Sequence, residues 1–235
     1  MRRRGAAIAA CVLACCPALR AESVSNGNGW YNYFGKFGLG GGWSWWTELQ
    51  ARRNEQIVEP QQYLIRTALY KKVRSNLELG GGYGFIRTDP YGKRPVRTTF
   101  DENRIYQDAI WDLSREKWRF TQRFRWEQRW LLLPQGNTFT QRFRYRMMVR
   151  RPIGSSKDWY WTAGDEIMFN VSPNLPPNKF DQNRAMALIG RSLKSGWRVE
   201  MGFQEQTLLQ RNGRILEHNH TIMVNLFAPN WALRK

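Results

Sequence analysis

The sequence predicts an all-β fold: a closed antiparallel transmembrane β-barrel of about ten strands, with twelve as the alternative, and an arginine-rich lumen. Three observations carry this. Apolar and polar residues alternate with a period of two through most of the chain. Turn residues separate these stretches, and short connections alternate with long ones, as in outer-membrane barrels. No run of 18 apolar residues exists that could cross a membrane as a helix, and mean hydropathy is −0.64.

Composition narrows the class further. The 235 residues fit one or two domains, and barrels of this length are routinely single. Lys and Arg number 37 against 19 Asp and Glu, a net charge of +18. Twelve Trp, twelve Phe and nine Tyr make the chain too aromatic for a disordered basic tail. All three cysteines, Cys11, Cys15 and Cys16, lie near the start. The remainder therefore has no disulfide framework and no cysteine metal site.

Residues 1–21 read as a cleaved secretory signal peptide. Arg2-Arg3-Arg4 forms the positive start, Gly5 to Leu19 the small and apolar middle, and Leu19-Arg20-Ala21 the processing site. Its removal leaves an exported chain with no cysteine, suited to an oxidising compartment. Residues 22–42 are rich in Gly and Asn and read as an irregular N-terminal segment. The barrel is expected over 43–228, followed by a C-terminal extension over 229–235.

The ten expected strands are 43–53, 61–72, 76–87, 102–113, 117–131, 138–152, 158–171, 180–194, 196–209 and 216–228. The clearest runs Arg123-Phe124-Arg125-Trp126-Glu127-Gln128-Arg129-Trp130. Phe124, Trp126 and Trp130 take one face and Arg123, Arg125, Glu127 and Arg129 the other. Arg142, Arg144 and Arg146 repeat this against Phe143, Tyr145, Met147 and Val149. An even strand count would leave both chain ends on the periplasmic side.

Nearly every strand carries its charge on one whole face. In a membrane barrel that face lines the lumen and the apolar face meets lipid. Trp43, Tyr83, Trp130, Trp161 and Trp197 are expected near strand ends, as interfacial girdles require. The lumen candidates are Arg66, Arg104, Arg123, Arg125, Glu127, Arg129, Arg142, Arg144, Arg146, Glu166 and Arg184. Arg52, Arg198, Glu48, Glu78, Asp108 and Glu200 share that face. Inside a narrow barrel such charges should form networks, because guanidinium groups pair with carboxylates bidentately. Glu127 is the expected hub and Glu166 a cross-barrel partner.

The chain resembles the Gram-negative outer-membrane barrel family catalogued as domain of unknown function 2490. Trp30-Tyr31-Asn32-Tyr33-Phe34-Gly35, Leu64-Ile65-Arg66-Thr67 and Gly80-Gly81-Gly82-Tyr83-Gly84 carry the likeness. So do Glu102-Asn103-Arg104-Ile105-Tyr106-Gln107, Arg123 to Arg129, Arg142 to Arg146, Asp165-Glu166-Ile167, Phe180 to Arg184 and Asn219-His220-Thr221. The resemblance implies an outer-membrane barrel with no established activity. The chain departs from the usual terminal aromatic of outer-membrane strands, running past Phe227 to Lys235.

Signals for chemistry are weak. His218 and His220 share one face of the last strand, where they could hold a metal or act as a base, yet no triad can be paired from spacing. Glu102 with Asp108, or Glu127 with Glu166, could be acid–base pairs. Their arginine neighbours suit salt bridges better. Gly40-Gly41-Gly42 and Gly80 to Gly84 lack the Lys-Ser/Thr of a phosphate loop. Gly80, Gly82 and Gly84 should instead make room for bulky side chains in the lumen. A single-strand nucleic-acid platform would set arginines and aromatics on one face, whereas here they segregate.

The sequence therefore leads to an outer-membrane protein of structural or small-solute role, porin-like, anion-leaning, with a largely filled lumen. No catalytic residue, metal or cofactor is expected. Expected partners are outer-membrane lipid, lipopolysaccharide and the insertion machinery, and not nucleic acid. The alternatives are a lipid-modifying or lipid-binding outer-membrane enzyme and, behind it, a secreted soluble β-protein for anionic ligands.

Overall fold

The computed structural model describes residues 22–93, 98–172 and 177–232. The predicted signal peptide lies outside the described residues. The chain forms β1 (Glu22–Gly40), β2 (Trp43–Asn54), β3 (Glu59–Arg74), β4 (Leu77–Thr88), β5 (Phe100–Arg115) and β6 (Trp118–Leu132). It continues as β7 (Thr138–Pro152), β8 (Trp159–Asn170), β9 (Phe180–Ser192), β10 (Arg198–Leu209), β11 (Ile215–Phe227) and the short β12 (Trp231–Ala232). Each strand from β2 to β10 pairs antiparallel with its two sequence neighbours, and β1 closes the sheet against β11. The result is one closed barrel of eleven staves, because β12 merely continues the line of β11 along β1.

All ten strands expected from 43 onward form, with ends within two residues of the expected ones. The Gly/Asn-rich segment 22–42 is not irregular, however. It contains β1, the longest strand, which raises the count to eleven. Gly and Asn have low strand propensity, so local sequence hides this element. Its ladder bonds come from β2 on one side and β11 on the other.

The odd count changes the closure. In an up-and-down wall of eleven strands, the first and last run the same way, so they can only pair in parallel. Asn26 lies opposite Asn219, Asn32 opposite Asn225 and Phe34 opposite Phe227. The barrel is thus not wholly antiparallel, and the two ends of the strand wall do not share a rim. Glu22 starts beside Ile215 at the rim of the longer loops, and Phe227 ends at the other. The expected extension over 229–235 also contributes to the wall, since Trp231 and Ala232 pair with Phe37 and Gly38.

The connections alternate as the sequence indicates: the longer ones, after β2, β4, β6, β8 and β10, leave from one rim, and the tighter ones from the other. Gly40, Gly41 and Gly42 all take positive φ values (86°, 56° and 78°) in the β1–β2 turn, which explains three consecutive glycines there.

The pleat sorts the side chains. Arg125, Glu127, Glu102 and Asn219 are almost fully enclosed, whereas Ile65, Leu69, Ile189 and Met201 on the outer wall are at least half exposed. The interior is a polar and ionic core, with small apolar clusters around Trp30, Leu188 and Met223 and around Ala68, Tyr70 and Tyr106. Gly84 stands opposite Arg66 and Gly80 opposite Tyr70, and a Cβ at either would collide with its neighbour's side chain. The glycines therefore make room as expected.

Candidate functional site

Every lumen candidate points into the barrel. Glu127 is fully buried at mid-height. Arg142 donates to its Oε2 from Nη2 and Nε at 2.6 and 2.8 Å, and Arg144 donates to Oε1 at 2.7 Å. The Nη1 atoms of Arg104 and Arg125 stand 3.9 and 4.0 Å from Oε1. Glu127 is the hub that the sequence suggests. Glu166 is the second: Arg123 donates at 2.7 Å, Arg144 at 2.8 and 2.9 Å, and Arg184 lies 3.6 Å away.

Around these hubs the pairing is bidentate. Arg125 grips Asp108 through two 2.7 Å bonds and stacks its guanidinium 3.9 Å above the Tyr106 ring. Tyr70 donates to the same Asp108 at 2.6 Å. Arg129 grips Glu102 at 2.6 and 3.0 Å, and Arg104 binds that carboxylate from the neighbouring position. Arg66 donates to Glu48 at 2.7 Å. Arg146 differs, since no ion pair to it occurs among the described residues and it lines the lower end of the lumen. The charges around the two hubs persist because they are paired and hydrogen-bonded; a lone one would be very costly.

Sequence reading missed part of the network. The sequence offers Glu102 an acid–base role and does not place it among the lumen charges, although it stands at i and i+2 with Arg104. Asp181 was missed for a geometric reason: the β8–β9 pairing slips between Met168 and Phe169. Beyond that bulge the alternation breaks, so Asp181 and Gln182 are both buried, and Asp181 accepts from Arg142 at 2.6 Å. Trp30 was hidden because β1 was.

The network divides the lumen. Above it, a vestibule of about 980 Å³ opens at the long-loop rim, lined among others by Trp30, Arg52, Arg129, Arg142, Arg184 and Arg211. Below it, a chamber of about 450 Å³ opens at the tight-turn rim, lined by Lys36, Arg146, Arg150 and Arg198 among others. The two share no lining residue, and Glu48, Asp108, Arg125, Glu127 and Glu166 line neither. At the vestibule mouth, Tyr91 donates to Glu217 at 3.2 Å. Burial and that carboxylate hold its phenol far above the usual tyrosine range, so it stays protonated. Arg211, on the β10–β11 loop, has its guanidinium shifted below the usual range by burial and then by Arg129.

His218 and His220 face outward, not into the lumen. Glu205 lies 2.6 Å from His220 Nδ1 and 3.8 Å from His218 Nδ1. No group of three or more His, Asp or Glu among the described residues is arranged to hold a metal.

Fold and interior together define a closed β-barrel with an ion-paired core and an apolar outer wall. Residues 27–217 match the family described as Protein of unknown function (DUF2490), and the chain belongs to that family. It is also similar to an uncharacterised protein of Methylorubrum extorquens, 29% identical over 93% of this chain and 94% of that one. No solved structure matches it.

Proposed function

We propose that this chain is an outer-membrane β-barrel of a Gram-negative envelope, exported by a cleaved signal peptide. Its role is structural or small-solute handling rather than catalysis. The single observation carrying this reading is the inversion of the barrel: charge inside, apolar side chains outside. In water, exposed side chains such as Ile65, Leu69, Ile189 and Met201 would form continuous apolar patches. In lipid they are satisfied, and closure leaves no unpaired edge. The eleven staves, of 12 to 19 residues, exceed the roughly ten that a tilted crossing needs.

The rims support the same reading. Trp43, Trp118 and Trp159 project outward near the tight-turn rim, each with a cation over its ring: Lys71 at 5.1 Å, Arg151 at 4.8 Å and Arg191 at 5.2 Å. Trp130 and Phe139 pair near the other rim at 5.1 Å. Two aromatic belts with adjacent cations suit the headgroup layers of a bilayer. Tyr83 is no part of them, since it sits in the middle of β4. Lipid and lipopolysaccharide are accordingly the proposed surroundings, with the insertion machinery as a transient partner.

The plug makes the lumen two chambers rather than one pore, so the solute role is capture at a rim. The test is fractionation followed by planar-bilayer recording. The protein should enter the outer-membrane pellet, run faster on gels before boiling than after, and carry no steady current. A soluble, heat-insensitive product would sink the membrane reading, and a steady open current would sink the plug.

A lipid-modifying enzyme is the second reading, favoured by one juxtaposition. Ser25 stands opposite His218 across the β1–β11 seam on the outer wall, with Glu205 near that histidine. It is the weaker reading, because Glu205 engages His220 more closely, and His220 faces Gly27. Loss of a lipid product on Ser25→Ala and on His218→Ala would promote it.

A further inference from the structure

Among the described residues, two buried arginines of the vestibule are left short of countercharge. Arg52 is buried, yet among the described residues it donates only to neutral amide oxygens: Gln50 at 3.0 and 2.7 Å and Gln62 at 2.8 Å. Arg184, also buried, donates to Gln182 at 3.0 Å and meets its nearest carboxylate, Glu166, only at 3.6 Å. That carboxylate is already occupied by Arg123 and Arg144. Both guanidinium carbons sit over the same indole, Trp30, at 3.8 and 4.8 Å from its centroid. Gln61 fixes the indole by accepting its N–H at 3.0 Å.

Two like charges held against one ring, out of water, repel each other and are costly to desolvate. The ring face and the glutamine oxygens offset part of that cost. Neither supplies a countercharge, although every other pairing in this lumen shows that the fold can place one. An anion arriving from the vestibule would. Above the pair, the walls turn partly apolar, with Phe100, Leu133, Leu208 and Leu209 among the lining residues. The volume, about 980 Å³, far exceeds that of a bare oxyanion and falls within the range of small-molecule sites.

We propose that Arg52, Arg184 and Trp30 form the binding site for a phosphorylated small solute whose apolar portion lies toward the leucines of the vestibule mouth. Guanidinium forks match the oxygen geometry of a phosphate group, and the indole gives a flat surface for an adjoining ring or chain. The inference rests on the barrel reading above and deepens it by assigning the ligand class and the site.

The experiment uses the full chain folded in detergent, with folding scored first by the gel-mobility shift on heating. Phenyl phosphate, inorganic phosphate and phenol are then titrated at constant ionic strength and followed by calorimetry and by tryptophan fluorescence, with Trp30→Phe identifying the reporting ring. Phenyl phosphate should saturate one site, inorganic phosphate should compete more weakly, and phenol should not bind. Arg52→Gln and Arg184→Gln should each weaken phenyl phosphate by about tenfold or more, as expected for one lost charge-assisted contact. Arg150→Gln in the opposite chamber should leave it unchanged. Arg52 holds no carboxylate, so its replacement keeps the network whole and the test valid even where the Arg184 variant misfolds. Absence of saturable binding in the heat-shifting wild type, or equal binding by wild type and Arg52→Gln, would overturn the site while leaving the barrel reading intact. Failure of the mobility shift would instead remove the barrel reading itself.

Discussion

Glu127 shows how single residues bear the interior of this barrel. It touches two guanidinium groups directly and faces two more at about the limit of an ion pair. Replacing it by Gln keeps the shape and removes the charge, leaving Arg142 and Arg144 buried with less compensation. The expected loss is about 3 kcal/mol or more of unfolding free energy, the penalty for breaking one partner of a buried pair. Urea titration of the barrel refolded into vesicles measures it. Glu205→Gln, on the half-exposed outer pair with His220, should change stability by less than about 1 kcal/mol. Near-equal losses at the two positions would mean that the interior is wet enough to screen its charges. At this scale the sequence was informative: Arg-Phe-Arg-Trp-Glu-Gln-Arg places Glu127 between arginines on one face of its own strand. It could not show that Arg142 and Arg144 of the next strand would land beside it, because that depends on the β6–β7 register.

At the level of elements, the decisive feature is the parallel seam between β1 and β11. Asparagines face each other across it, with Asn26 donating to Asn219 at 3.0 Å and Asn32 to Asn225 at 2.8 Å. Matched amides in register favour one alignment, since a one-residue slip would turn the ladder outward. Cysteine pairs test the alignment without background in a chain that starts at Glu22, because the native cysteines all lie in the first sixteen residues. Gly27→Cys with His220→Cys, opposite each other on the outer wall, should oxidise to a cross-link that alters mobility on non-reducing gels. Neighbouring strands lie roughly 4.7–4.9 Å apart, inside the roughly 4.4–6.8 Å that a disulfide spans. Gly27→Cys with Ile222→Cys, offset by two residues, places the Cα atoms more than about 7 Å apart and should not cross-link. The reverse result would mean a different register, as in a ten- or twelve-stranded closure. The strands from β2 to β11 were legible because period-two alternation is a local signal. β1 was not, because its Gly and Asn residues fit equally well in a loop.

On the scale of the whole molecule, the ion-pair layer separates a larger arginine-lined vestibule from a smaller basic chamber. For the proposed outer-membrane barrel, the expected outcome in a bilayer is low conductance. Arg125→Ala removes a side chain that fills space between the chambers and pairs with Asp108. Its bilayer trace should show more frequent or larger openings than wild type at the same voltage. Identical silence from both would mean that the remaining residues close the lumen alone, and a steady wild-type current would contradict the two-chamber arrangement.

Sequence by itself determined which face of each central strand carries charge, roughly where those strands begin and end, and most of the charged residues that share the interior. Those properties repeat every two residues along one strand and need no partner to be read. The tertiary structure decided the number of staves, the parallel join, the capture of Asp181 beyond a bulge and the pairing of each guanidinium. It also decided that Arg52 and Arg184 meet over Trp30 without a carboxylate of their own. Those facts depend on strands far apart in the chain coming into register, and only closing the wall fixes that.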